Sequence, residues 1–159
     1  MSPYAIPGQY GMSEGSGPLS NGGAFVVDYP FFKLLVDMEI QKAQRLRYPI
    51  SLVAMEMETP PTEPSSDSLV RIIAPWVRAT DAVAPRNAVS VVLLLIDAAV
   101  DSLATILGRL TTDLETAPWF AGGASYPETA STADQLLDQA TGLMAEAKRN
   151  GGQRLHLPS

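Results

Sequence analysis

The side chains able to do chemistry in this chain are few, and their types narrow the reactions open to it. Cysteine is absent, and the only histidine, His156, stands three residues from the C-terminus. Thiolate nucleophiles, zinc–thiolate centres, iron–sulfur clusters and disulfides are thereby excluded, and a histidine-based triad or metal site would have to rest on a chain end. No cofactor is expected. The remaining candidates are charged. Arg78 and Asp81 form an Arg-x-x-Asp pair, and Arg109 follows further along. A guanidinium is a rigid fork of N–H donors that grips phosphate, carboxylate or a planar acceptor edge through two parallel hydrogen bonds. Read without a ligand, the same pair is an ion pair at i, i+3 that adds little to stability.

The elements that must position these residues come from 159 residues, enough for one domain with a core and short for two. Apolar residues make up 46% and charged residues 18%, which predicts a folded globule. The formal net charge of −6 opposes binding to nucleic acid or an anionic membrane surface, although two or three arginines can hold a small anion locally. No apolar run reaches the ~18 residues that span a bilayer, and no basic-then-apolar leader opens the chain. A cytoplasmic protein without membrane insertion is expected.

Residues 1–27 read as a flexible tail ahead of a domain at 28–159. Met1 to Gly23 is rich in Gly, Pro and Ser, with Glu14 its only charge. Such a segment buries too little apolar surface to offset its ordering entropy. Docking through Tyr4, Ile6, Tyr10 and Met12 is the alternative. A first helix opens near Pro30, with Phe31, Leu34, Leu35, Met38 and Leu46 as its apolar stripe, and stops at Pro49. Ile50 to Met57 reads as a strand, Thr59 to Ser68 as a Pro/Ser-rich loop, and Leu69 to Val77 as a helix limited by Pro75. Asp81–Ala84 and Val89–Ile96 form a hairpin around Arg86-Asn87-Ala88; the second run is almost wholly apolar, as in a strand covered on both faces. Ala99, Leu103, Ile106, Leu107, Leu110 and Leu114 give the next helical stripe. A strand over Trp119–Ser125 precedes a helix opened by a capping box, Thr132 with Gln135. Leu136, Leu137, Ala140, Met144 and Ala147 form the inner side of that helix, Gly151 is its left-handed cap, and Gln153–Leu157 is an edge strand. The methionines at 38, 55, 57 and 144 read as packing. The pattern is α+β, a mixed sheet of about five strands flanked by helices.

This order and several fragments resemble the GGDEF domain, the bacterial diguanylate cyclase family, from about Asp28 to Leu157. The fragments are Ala43-Gln44-Arg45, Pro49-Ile50-Ser51-Leu52, Arg78-Ala79-Thr80-Asp81-Ala82-Val83-Ala84, Ala124-Ser125-Tyr126-Pro127, and Leu136-Leu137-Asp138 through Ala147-Lys148-Arg149-Asn150-Gly151. The resemblance implies a nucleotidyl cyclase-like, largely antiparallel sheet. It also places the family's signature on Asn87-Ala88-Val89-Ser90-Val91, where the two glycines and the metal-binding carboxylates are missing. Glu56 stands where the family has a metal aspartate, with Glu58 two residues on, and Lys148 where it has a phosphate-contacting lysine. The Phe-Lys and Asn-Asp residues after the first strand, and the Asp-x-Leu-Thr motif ahead of the first helix, are not found. A degenerate domain with no catalytic residue and no metal site is expected.

The family's inhibitory site, which binds cyclic di-GMP, uses Arg-x-x-Asp five residues before the signature and a further arginine on the next helix. Arg78, Asp81 and Arg109 occupy those positions. The arginines would take phosphate or the guanine O6/N7 edge, and the aspartate would accept from guanine N1 and N2. Trp76 reads as a core residue or as a stacking platform for the base. The resemblance thus implies a cyclic di-GMP receptor that signals to a protein partner or a second copy. The alternative is a protein-interaction scaffold without a nucleotide ligand.

Overall fold

The computed structural model describes residues 25–58, 66–114, 118–151 and 154–158. The segments at 1–24 and 59–65, and Gln153, lie outside the described residues. The first helix, α1 (Tyr29–Leu46), starts where Asp28 accepts the Phe31 N–H at 2.9 Å, with Pro30 in its first turn. It ends at Arg47, whose φ of 61° turns the chain toward Tyr48 and Pro49. The predicted stripe on α1 is the wrong one. Phe32, Val36, Ile40 and Ala43 are buried, whereas Phe31, Leu34, Met38 and Leu46 lie 42% to 65% exposed and Leu35 is half-buried. Both lines repeat every three or four residues, so periodicity alone could not rank them. Met38 therefore does not serve packing, unlike Met55 and Met144, which are buried.

Six strands form one sheet in the order β1-β3-β4-β2-β5-β6. These are β1 (Phe25–Val26), β2 (Ile50–Met57), β3 (Ala82–Pro85), β4 (Ser90–Ile96), β5 (Trp119–Tyr126) and β6 (Arg154–His156). The three inner pairings are antiparallel, and the two edge strands β1 and β6 join in parallel. The sheet has one strand more than expected, because Phe25–Val26, two residues with no readable period, line up on Ala82–Val83.

Alternation along the inner strands builds two cores. Ile50, Leu52 and Ala54 of β2 with Val92 and Leu94 of β4 face α1 and α4 (Ala133–Asn150). Val53 and Met55 with Val91, Leu93 and Leu95 face α2 (Ser66–Ile73) and α3 (Leu103–Leu110). The apolar run Val91–Leu95 of β4 is thus covered on both faces, as its sequence requires. Helix α2 starts at Ser66, inside the stretch expected to be loop, and gives way at Pro75 to a 3₁₀ turn, Ala74–Trp76. A 3₁₀ turn, Val100–Ser102, also leads into α3, whose Leu103, Leu107 and Leu110 are buried as expected. On α4 the inner residues are the five predicted ones. Its cap differs in detail: Thr132 accepts the Gln135 N–H at 3.1 Å, but the Gln135 side chain reaches back to the Ser131 N–H at 2.9 Å. Gly151 has a positive φ of 76°, but its ψ of 155° carries the chain outward rather than into a left-handed helical cap.

Candidate functional site

Arg78 lies between the 3₁₀ turn and β3, Asp81 immediately before β3, and Arg109 in the last turn of α3. The fold brings all three to one cleft of about 480 Å³, whose wall includes Trp76, Asp97, Asp101 and Ile106. Its apolar floor belongs to the core under α3, through Val77, Leu95, Ala98 and Leu110. Pockets of ~300–1,000 Å³ with a few polar groups on an apolar base suit small ligands.

The three residues are not equivalent. The Asp81 side chain is 3% exposed. Its Oδ1 accepts the Ile96 N–H at 2.8 Å and an Arg78 Nη2 hydrogen at 3.5 Å, and its Oδ2 accepts the Arg78 Nε hydrogen at 3.2 Å. Arg78 Nη2 also donates to the Ile96 carbonyl. Three hydrogen bonds and near-complete burial tie the Asp81 carboxylate to the end of β4 and to Arg78, so that it holds Arg78 in place at the cleft. Arg78 itself stays 57% exposed on its side chain, and its Nη1 has no hydrogen-bond partner among the described residues. The guanidinium of Arg109 has no hydrogen-bond or ion-pair partner among the described residues. Trp76 is 42% exposed, so its place is the cleft wall and not the core.

Sequence reasoning missed Asp97 and Asp101, both exposed on the cleft wall. Asp97 directly follows β4 with a φ of 57°, a conformation in which Asp is several-fold enriched over most side chains. Two carboxylates in the short link between the apolar strand and the helix that carries Arg109 were the available signal.

At the other end of β4 lies the turn where the resemblance places the catalytic signature. The Asn87 side-chain oxygen accepts the Val89 and Ser90 N–H groups, each at 3.0 Å, and the Ser90 hydroxyl at 2.9 Å. The Val89 and Ser90 amide donors are thus satisfied from within the turn. Glu56 pairs across the sheet with Ser90, and its Oε2 takes Lys148 Nζ at 2.6 Å from the end of α4. That bond and the Glu56 charge raise the pKa of Lys148 above the ordinary lysine value, with Glu58 adding to the rise. The acidic position and the basic position of this corner neutralise each other. Among the described residues no three acidic or histidine side chains converge on a metal position. In this corner the Glu56 carboxylate is paired with Lys148, Glu58 follows two residues on, and Val89 and Ser90 stand where the resemblance expects the hard oxygen ligands of a magnesium ion.

No protein-family model matches the sequence, and no curated protein matches it. Solved structures do. The GGDEF domain of YfiN (TpbB) from Pseudomonas aeruginosa superposes with a TM-score of 0.74 at 21% identity, over 88% of this chain and 93% of that one. The active GGEEF domain of a diguanylate cyclase from Vibrio cholerae gives 0.71 at 13% identity, over 82% and 96%. The GGDEF domain of DgcB from Caulobacter crescentus, solved in complex with cyclic di-GMP, gives 0.66 at 12% identity, over 83% and 91%. The chain therefore has the fold of a GGDEF domain.

Proposed function

We propose that this domain is a catalytically silent receptor for cyclic di-GMP, with the cleft at Arg78 and Arg109 as its ligand site. The observation that carries this reading is the convergence of Arg78, Arg109 and the half-exposed Trp76 on one cleft. Two guanidiniums can grip phosphate or the O6/N7 edge of guanine, and the indole can stack on a base. Besides Asp81, the exposed carboxylates of Asp97 and Asp101 on the cleft wall can receive guanine N1–H and N2–H. Catalytic silence rests on Asn87, Val89 and Ser90 in the signature turn and on the Glu56–Lys148 pair. The scaffold reading is favoured by a different observation, the exposed apolar line on α1.

Arg109→Ala is the cleaner probe, because Arg78 also braces Asp81 and its removal would disturb the strand ends. Calorimetric titration of the wild type with cyclic di-GMP is expected to give saturable binding. Loss of one charge-assisted bidentate contact in Arg109→Ala should weaken it about 10- to 100-fold, with the thermal midpoint unchanged. No heat from intact wild type sinks the receptor and leaves the scaffold. Incubation with GTP and magnesium should yield no dinucleotide; sustained turnover would overturn the silent turn at Asn87.

A further inference from the structure

Five polar or charged residues are buried among the described ones: Ser51, Asp81, Ser90, Thr111 and Ser125. A buried hydroxyl or carboxylate costs free energy unless it is hydrogen-bonded, so each needs a reason. Ser90 bonds to Asn87 within the hairpin turn, and Thr111 donates to the Leu107 carbonyl at the end of α3. The other three act together on the link from β4 to α3, which carries Asp97. Ser51 of β2 donates from Oγ to the Ala98 carbonyl at 2.7 Å, 47 residues away in sequence. Its oxygen also lies 2.5 Å from the Oγ of Ser125, directly opposite in β5. The direction of this second bond follows from counting hydrogens. Ser51 has one hydroxyl hydrogen, and the Ala98 carbonyl can only accept it, so Ser125 donates to Ser51. The hydroxyl chain runs from Ser125 through Ser51 to Ala98, and Ala98 lines the cleft.

Asp97 is thereby held from both sides. Before it, the Ile96 N–H is taken by Asp81 at 2.8 Å and the Ile96 carbonyl by Arg78. After it, the Ala98 carbonyl is fixed by Ser51. Between these anchors Asp97 adopts its φ of 57°, and its exposed carboxylate has no hydrogen-bond or ion-pair partner among the described residues. A carboxylate on a loose loop samples many positions and discriminates little, whereas one on an anchored peptide presents its acceptors in a fixed place. We infer that Ser51 is a positioning residue of the cleft: it fixes the link that presents Asp97, and with it a preference for guanine over adenine. This rests on the receptor reading of the cleft. Guanine offers N1–H and N2–H to a carboxylate side by side, whereas adenine turns an N1 lone pair toward it. The discrimination therefore depends on where the carboxylate stands. The phosphates are common to both cyclic dinucleotides, so the arginines' grip on them drops out of the comparison.

Calorimetric titration of the full chain with cyclic di-GMP and with cyclic di-AMP measures the preference, expected at about 10- to 100-fold for guanine. Ser51→Ala should lower that preference by roughly 5-fold or more, mainly by weakening cyclic di-GMP. Ser125→Ala is the control for a purely structural role. It removes the other hydroxyl of the pair, equally buried, and should lower the thermal midpoint comparably. It leaves Ser51 bonded to Ala98, and the preference should stay at the wild-type value. Should Ser51→Ala fail to fold, Ser51→Cys fills the same space with a weak donor and should show the same loss. A preference unchanged in the Ser51 variant overturns the inference. So does an equal loss in the Ser51 and Ser125 variants, which would make the pair a support of the sheet alone. A wild type that binds both dinucleotides equally removes Asp97 as the reader of the base. Binding of neither by the wild type removes the receptor reading itself, and this inference with it.

Discussion

Asp81→Ala is expected to lower the thermal midpoint by roughly 5–10 °C, a loss of about 2–3 kcal/mol for a domain of this size. Asp81 joins three strands at one point. Its backbone carbonyl accepts the Phe25 N–H of β1 at 2.8 Å, its side chain accepts the Ile96 N–H at the end of β4 at 2.8 Å, and β3 begins at the next residue. Alanine keeps the first bond and removes the second, leaving the Ile96 N–H without its acceptor beside a small void. The ion pair itself adds little to this figure, because the Arg78 side chain is 57% exposed and water screens it. Asp81→Asn separates the parts. Its amide oxygen can still take the Ile96 N–H, so it should lose no more than about half as much stability, while Arg78 loses its charged brace. Both variants should weaken cyclic di-GMP binding, because Arg78 loses the carboxylate that holds it at the cleft. A midpoint shift below about 2 °C for Asp81→Ala would mean that the strand ends are held by other bonds. Undiminished ligand affinity in Asp81→Asn would remove Asp81 from the positioning of Arg78.

The sequence made the inner architecture legible because burial on both faces leaves a compositional mark. An all-apolar run such as Val91–Ile96 has few places in a fold, and the stripe from Leu136 to Ala147 names its own inner side. Helix α1 was read inside out for a physical reason. It carries two apolar lines of equal period about a third of a turn apart, and only the tertiary contact selects Phe32, Val36, Ile40 and Ala43. Strand β1 is too short to show alternation, and its pairing depends on β3 and not on its own residues. At the cleft, the arginines were visible by type and register. The state of Asp81 was not, because the Ile96 N–H that occupies it lies 15 residues away in sequence. Asp97 and Asp101 were hidden by ordinariness, two carboxylates of the kind any solvated loop carries.

Gly122→Ala is expected to destabilise the domain by about 3 kcal/mol or more, lowering the midpoint by roughly 6–12 °C. Gly122 sits in β5 opposite Ala54 of β2 and His156 of β6, directly beneath α4. A Cβ at this position would lie 2.2 Å from the Ala140 carbonyl oxygen, 2.4 Å from the Met144 nitrogen and 2.8 Å from the Leu143 carbonyl carbon. All three are backbone atoms of the helix, so no rotamer change relieves the overlap. Helix α4 must instead back away by on the order of 1 Å, which forfeits a large part of the dispersion contacts beneath Leu136, Met144 and Ala147. Gly123→Ala is the internal control. There the new Cβ meets Leu103 Cδ1 at 2.7 Å and Leu157 Cδ2 at 3.0 Å, which are ends of side chains that can swing aside. It should cost only about 1 kcal/mol, at the low end of overpacking. Thermal melts of the two variants side by side give the ranking, and equal losses would show that α4 does not rest on Gly122. The same retreat should loosen Lys148 from Glu56, since the lysine reaches β2 from the last turn of α4. Hydrogen exchange should then rise at α4 in Gly122→Ala and stay near wild type in Gly123→Ala, because only the first substitution displaces the helix that closes the corner at Glu56.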